Sequence, residues 1–262
     1  MRSSRGVRRL LATHTVLVYL FLYAPIAILM VFSFNAARQT AFWQGFTFDW
    51  YRRLLNDGLL LRALRNSLEV AGITTATAVL LGTPAALALA RPAFRGKRMT
   101  QTLLYLPVII PEVVLGAALV TFFGAVSLQL SLATVVIAHV VFSVSYVALV
   151  VRARLAGLDP ALEEAARDLG AGPFETFRRV TLPLALPGIV ASALLVFTLS
   201  IDDYVITSFV AGVGATTLPL LIYSMLKVGV TPEVNAISTL LLAVTIVLIA
   251  AAHRLLQEKE DR

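Results

Sequence analysis

Long apolar runs separated by short polar segments are the dominant pattern along this chain. A helix needs roughly 20 apolar residues to cross about 30 Å of hydrocarbon. Six runs reach about that length, at residues 13–33, 67–90, 101–123, 128–151, 184–210 and 235–252. The pattern therefore predicts an all-α, polytopic membrane protein with six transmembrane helices, built as a single domain over residues 1–262.

A charged segment at residues 159–183 interrupts the pattern between the fourth and fifth runs. Asp159 is a good N-cap, and the proline after it suits the first position of a short helix. Gly170 is placed to end that helix in the left-handed conformation. Apolar residues then recur every three positions in a second short helix, which is expected to end at Leu182-Pro183. The segment is predicted to form a helix–turn–helix.

The net charge of +7 is distributed unevenly around the predicted spans. With the N-terminus in the cytoplasm, the segments on the inside carry 16 of the 22 Lys and Arg residues. Short basic loops stay in the cytoplasm, so this asymmetry predicts that both termini lie there. The basic excess is therefore interpreted as a topology signal against the membrane, and no nucleic-acid partner is expected.

Apart from Glu69, which lies at the outer end of the second span, three carboxylates fall inside the predicted spans. Glu112 lies near the middle of the third run, and Asp202 and Asp203 lie in the outer part of the fifth, beside Tyr204. A charged group near the bilayer centre costs about 2.5–3.5 kcal/mol on insertion scales, so it usually faces a cavity, a partner or a pathway. Tyr204 could offer an aromatic face to an ammonium group. These four residues predict a path for a cationic solute, and the alternative is structural pairing with a basic residue.

Catalytic constellations are missing from the sequence. It has no cysteine, and its histidines, His14, His139 and His253, lie on different segments. It also has no Gly-x-x-x-x-Gly-Lys-Ser/Thr phosphate loop. If ATP drives this protein, hydrolysis must therefore occur on a separate subunit, and the chain is predicted to bind no cofactor and no metal. His139, in the fourth span, is interpreted as a packed or hydrogen-bonded helix residue.

Seven residues of the charged segment form a spaced motif: Glu164, Ala165, Ala166, Gly170, Val180, Leu182 and Pro183. This motif resembles the EAA loop of the permease subunits of bacterial ABC importers, although isoleucine is commoner than valine at the position of Val180. In that family the loop docks on the ATPase subunit as a coupling helix. The resemblance implies the type I permease fold of these importers and a contact between this segment and an ATPase.

Residues 197–204 and 218–236 resemble the permeases of spermidine/putrescine importers. The resemblance implies a bacterial inner-membrane subunit paired with a sister permease as a heterodimer. It also implies two copies of an ATPase subunit that uses ATP and Mg, and a periplasmic or lipid-anchored binding protein. Related permeases carry ferric iron, thiamine or phosphonates, so the cargo stays open among these solutes.

Two other classes of function compete with this interpretation. A membrane enzyme would need a nucleophile with its base, or a metal cluster, within the spans, and the sequence displays neither. A channel or secondary transporter that works without ATP would leave the charged segment at 159–183 unexplained.

Overall fold

The computed structural model describes residues 5–37, 42–90, 94–229 and 231–260. Within these residues the regular structure is helical, apart from an isolated antiparallel bridge between Asn35 and Phe46. In chain order the helices are α1 Arg5–Phe32, α2 Asp49–Asn56, α3 Gly58–Ala90, α4 Lys97–Ile109, α5 Glu112–Ala125, α6 Leu132–Ala156, α7 Ala161–Asp168, α8 Pro173–Thr176, a π-helical turn Phe177–Thr181, α9 Leu182–Asp202, α10 Val205–Val210, α11 Leu218–Val228 and α12 Pro232–Glu260. The predicted all-α class is confirmed.

Four helices of the described chain are long and apolar enough to cross a membrane: Val7–Phe32, Gly58–Ala90, Leu132–Ala156 and Pro173–Asp202. Counting α4 and α5 together as one bent span gives up to five. The sixth apolar run lies in α12, whose described apolar stretch is shorter than the others. The polytopic architecture is therefore confirmed, while the count of six transmembrane helices stays a prediction.

Two of the predicted spans are broken. The run 101–123 is split between α4 and α5, which are bent by 109° relative to each other. Ile110 is extended because a residue before proline is driven out of the helical region, and Pro111 is extended as well. The run 184–210 ends as a helix at Asp202, and Asp203 is extended before α10 begins. The prolines of the run 101–123 predict a break there, which is confirmed at Pro111, whereas Pro107 lies inside α4. The run 184–210 was predicted as a single span, and the break at Asp203 corrects that prediction.

The charged segment forms α7 and a second helix around a turn at Gly170, whose φ of +88° is left-handed as predicted. The predicted end of the second helix at Leu182-Pro183 was wrong, because α8 continues through the π-helical turn into α9. Proline has no N–H to donate to the carbonyl four residues earlier. The wider π-helical turn directly before Pro183 accommodates this loss, so the helix passes through the proline.

The chain divides into two compact units. One comprises Met1–Leu61 and Ile222–Ala250, and the other comprises Arg62–Leu221 and Ala251–Arg262. The single domain expected over residues 1–262 stays a prediction.

The first unit contains a compact aromatic turn after α1. The indole N–H of buried Trp50 donates a 2.8 Å hydrogen bond to the carbonyl oxygen of Asn35. The ring of Phe34 stacks on Phe46 and contacts Tyr51, with ring centroids 5.1 Å apart in each pair. These contacts join the residues that follow α1 to the start of α2.

In the second unit α3, α5, α6 and α10 contribute to a shared core of buried apolar side chains: Val70, Leu115, Phe123, Val135, Ala138, Phe142, Ile206 and Val210. Small residues permit the closest helix contacts. A Cβ on Gly82 of α3 would lie 2.7 Å from Val147 of α6, and one on Gly116 of α5 would lie 2.7 Å from Phe209 of α10. Such close approach is typical of membrane helices, whose association depends on packing.

Candidate functional site

The two helix breaks line one cavity in the second unit, with a volume of about 520 Å³. Its walls come from the end of α4, the start of α5, the middle of α6 and the region where α9 ends and α10 begins. The lining includes Pro107, Ile109, Ile110, Pro111, Glu112, Phe142, Tyr146, Thr198, Leu199, Asp202, Asp203 and Tyr204. The four residues predicted for the substrate path are therefore brought together, although they come from different spans.

Two helices end at this cavity with their C-terminal turns. The last residues are Ile109 for α4 and Asp202 for α9, and both line the cavity. The carbonyl groups of a last helical turn carry partial negative charge, because they have no partner within the helix. The first turns of α5 and α10, which begin at the same cavity and carry partial positive charge, offset these ends, so the negative charge in the cavity comes from the Glu112 and Asp202 carboxylates.

Asp202 and Asp203 have different surroundings. Asp202 is exposed, and its carboxylate lines the cavity. The Asp203 side chain is only 6% exposed and accepts hydrogen bonds from the backbone N–H of Thr207 at 2.8 Å and of Ile206 at 3.3 Å. Asp203 thereby caps the first turn of α10, which makes it a structural carboxylate as well as a cavity residue.

Asp203 belongs to a buried polar cluster, which we call the His139 hub and which comprises His139, Ser200, Asp203 and Thr207. The Nδ1 atom of His139 lies 2.8 Å from the Ser200 hydroxyl. Its Nε2 atom lies 3.1 Å from Oδ2 of Asp203 and 3.0 Å from the Thr207 hydroxyl. The interpretation of His139 as a hydrogen-bonded helix residue is confirmed. The acid that pairs structurally in the span is Asp203, and its partner is this histidine.

The residues of the predicted coupling motif lie on α7, the turn after it, the π-helical turn and α9. Glu164, Ala165 and Ala166 are in α7, Gly170 forms the turn after it, and Val180 is in the π-helical turn. Leu182 and Pro183 begin α9. The coupling role of these residues stays a prediction.

Exposed apolar side chains flank the turn at Gly170. Leu169 is 89% exposed and Phe174 is 74% exposed, although both belong to the apolar faces of their helices. Large exposed apolar side chains on both sides of a turn are typical of a surface that contacts another protein.

The sequence analysis missed Glu163. Its carboxylate lies between α7 and the π-helical turn, where Oε1 accepts a 2.6 Å hydrogen bond from the hydroxyl of Thr181. The other oxygen lies 3.3 Å from the guanidinium of Arg167. The sequence did not indicate that Glu163 rather than Glu164 makes this contact, because either glutamate could face outward on so short a helix.

Comparison with known proteins places the chain in a family. Residues 78–260 match the model of the binding-protein-dependent transport system inner membrane component. The chain is 42% identical over 242 residues to the spermidine/putrescine transport system permease protein PotC of Escherichia coli (strain K12), covering 92% of each chain. It is 41% identical over 252 residues to the putrescine transport system permease protein PotI of the same strain, covering 93% of this chain and 90% of PotI.

A solved structure has the same fold. In the crystal structure of a bacterial ABC transporter involved in the import of the acidic polysaccharide alginate, one chain aligns with a TM-score of 0.79. The alignment covers 97% of this chain and 96% of that one at 18% identity, which shows the likeness of fold. From its matched family model and its relatives above 40% identity, this chain belongs to the family of binding-protein-dependent transport system inner membrane components.

Proposed function

We propose that this chain is the permease subunit of an ATP-driven ABC importer and forms half of the translocation path for a polyamine such as spermidine or putrescine. The observation that carries the proposal is the 42% identity to a spermidine/putrescine permease over 92% of both chains. Similarity at that level, spread over nearly the whole length, supports the same class of cargo.

The cavity at the helix breaks supports a cationic cargo. A polyamine must leave water along part of its path, and carboxylates in a medium of lower dielectric offset this cost. At an effective dielectric constant of 20, opposite charges 4 Å apart attract by about 4 kcal/mol, against about 1 kcal/mol in bulk water. Glu112 and Asp202 supply negative charge of this kind. Tyr204 adds an aromatic face beside them.

The segment at 159–183 is proposed to dock on the ATPase subunit. The support is the motif from Glu164 to Pro183 and the exposed apolar pair Leu169 and Phe174 around Gly170. ATP and Mg would then be used by the partner, and this chain would need no cofactor of its own. Cytoplasmic termini, as the distribution of basic residues predicts, would place the segment on the side where the ATPase lies.

The complete importer is proposed to contain a sister permease as a heterodimer partner, two copies of the ATPase and a periplasmic or lipid-anchored binding protein. The membrane would be the bacterial inner membrane, in agreement with the description of the family. An enzymatic activity of this chain itself is not part of the proposal.

Transport by the reconstituted complex tests this function. Proteoliposomes containing the whole importer are supplied with the loaded binding protein and labelled spermidine or putrescine, with and without ATP. Uptake that needs ATP and is competed by unlabelled polyamine is expected. Uptake without ATP would instead favour a channel or secondary transporter. ATP-dependent uptake of thiamine, ferric iron or an aminophosphonate, with none of polyamine, would contradict the cargo and keep the permease class.

A further inference from the structure

The His139 hub ties the break between α9 and α10 to α6. His139 is fully buried in α6, Ser200 is in the last turns of α9, Asp203 is in the break and Thr207 is in α10. One imidazole ring therefore contacts the helix before the break, the break itself and the helix after it. The described contacts of the break include no other side chain that reaches all three.

The protons of the hub can be assigned from its donors and acceptors. Both the backbone N–H and the hydroxyl of Thr207 donate to Oδ2 of Asp203, each at 2.8 Å. The Thr207 hydroxyl proton is thus used, and the imidazole Nε2 must donate its own N–H to these oxygens. In the neutral ring Nδ1 is then the acceptor of the hydroxyl proton of Ser200. Loss of His139 would leave a buried carboxylate and a buried hydroxyl each short of a partner.

The two neighbouring acids at the break differ in their contacts with the hub. Asp203 is held against α6, and its backbone is extended at φ −67° and ψ 122°. Asp202, the residue before it, ends α9 with its side chain exposed on the cavity that Glu112 also lines. If Asp203 were released, the end of α9 could turn, and the carboxylate of Asp202 would leave its place beside Glu112.

We propose that His139 is a positioning residue for transport. It acts through Asp203 to hold the end of α9 so that the Asp202 carboxylate stays on the cavity, and it does not contact the cargo. This inference rests on the proposed function for its transport consequences, while the positioning of Asp202 can be measured without any cargo.

The cargo-free test uses the absence of native cysteine from the sequence. Asp202→Cys is introduced in the assembled importer, and its modification rate by a small cationic thiol reagent is measured with His139 intact and with His139→Phe. Phenylalanine keeps a ring beside Phe142, whose centroid lies 5.5 Å away, and removes the hydrogen bonds. We expect the rate to change at least fivefold. A cysteine at exposed Phe122 of α5 is the reporter control and should react equally in both backgrounds.

The transport test measures polyamine moved per ATP hydrolysed in proteoliposomes, a ratio that does not depend on how much folded protein is present. His139→Phe is expected to lower this ratio about tenfold, the loss that corresponds to one hydrogen bond to a charged group. Ser200→Ala removes one hydroxyl of the hub and should lower the transport ratio about threefold. It replaces His139→Phe as the test if the His139→Phe complex does not assemble. Val135→Ala, a buried change one turn earlier in α6, should leave the ratio unchanged.

Failure of this inference and failure of the proposed function would give different results. The labelling is also measured with Ser200→Ala. If Asp202→Cys is labelled at the same rate with His139→Phe, with Ser200→Ala and with neither change, the positioning role is overturned, even if transport falls. If the wild-type importer moves no polyamine, the proposed cargo is contradicted. The labelling rates would still decide the role of His139. A wild-type transport ratio in both hub variants would also overturn the inference.

Discussion

The hydroxyl of Thr181 donates a 2.6 Å hydrogen bond to Oε1 of Glu163 and thereby joins α7 to the π-helical turn. The turn continues into α9 without a break, and α9 ends at Asp202 on the cavity. A continuous connection therefore runs from the proposed coupling segment to the proposed substrate path. Motion of α7 can reach the cavity through this bond and the helix behind it.

Thr181→Val should weaken this connection, because valine has nearly the same shape and cannot donate to Glu163. A hydrogen bond to a charged group contributes about 1.5–3 kcal/mol. We expect transport per ATP hydrolysed to fall several-fold while the complex still assembles. Glu163→Gln should act in the same direction, and Asp168→Asn, which removes a charge at an exposed position of α7 outside the motif, is the control for the bond. Equal ratios for Thr181→Val and the wild type would contradict the connection.

The turn at Gly170 offers a test with a matched glycine nearby. An added Cβ would meet nothing within 4 Å at Gly170 or at Gly172, so space is available at both. Gly170 has φ +88°, where a Cβ costs about 1–2 kcal/mol, whereas Gly172 has φ −68° and accepts alanine readily. Gly170→Ala is therefore expected to reduce retention of the ATPase on purification, and Gly172→Ala is not. Equal retention in the two variants would exclude a role for the left-handed turn.

Neutralising either of the two acids proposed to face the cargo, Glu112 and Asp202, should impair transport. Glu112→Gln and Asp202→Asn each remove a charge from the proposed path. Opposite charges 4 Å apart attract by about 4 kcal/mol at an effective dielectric constant of 20, and a loss of about a third of that attraction corresponds to a tenfold effect. We expect uptake of spermidine or putrescine to fall about tenfold, measured in vesicles, with ATPase binding intact. If both neutral variants transport polyamine at the wild-type rate, the acids are structural.

Asp203→Asn should behave differently from its neighbour. An amide nitrogen directed at the Thr207 N–H or at the Nε2–H of His139 would set donor against donor, and a buried group would lose its partner. The expected result is a lower thermal midpoint and less assembled complex in detergent. Transport per assembled complex should decrease less than in Asp202→Asn. A variant of normal stability with a selective transport defect would assign cargo contact to Asp203.

Gly212 tests the packing of the second unit. A Cβ there would overlap the carbonyl oxygen of Leu130, which is backbone and cannot rotate away. Gly212→Ala is expected to cost about 3 kcal/mol or more and to lower the thermal midpoint in detergent. Gly124→Ala is the matched control, because nothing lies within 4 Å of its added Cβ. Similar midpoints for the two variants would show that the contact at Leu130 is not this close.

The orientation in the membrane follows from the distribution of Lys and Arg and is open to reporter fusions. Reporters joined after residue 35, 125 or 215 are expected on the outside, and those after residue 95, 165 or 258 in the cytoplasm. A cytoplasmic signal from the fusion after residue 35 would reverse the orientation and remove the support for docking of the charged segment on a cytoplasmic ATPase.

Local signals in the sequence were sufficient for the helical class, the approximate positions of the apolar runs and the left-handed turn at Gly170. These features depend on run length, on residue type and on the missing Cβ of glycine, all of which can be read within a few residues. The two prolines of the run 101–123 also indicated a break, but a membrane helix can absorb a proline as a kink or be broken by it, and only the structure shows that Pro107 is absorbed in α4 while Pro111 breaks the span. The break at Asp203 had no such signal, since neither glycine nor proline occurs there.

Spacing along the chain determined that Glu112, Asp202, Asp203 and Tyr204 are unusual residues for a span, and the tertiary structure decided what each one contacts. Asp203 is structural because a histidine 64 residues earlier lies 3.1 Å from it, a distance that depends on how α6 packs against the end of α9. Asp202 remains on the cavity because the two breaks face each other there. Contacts between residues distant in sequence arise from packing of whole helices, and the pattern within one helix does not encode them.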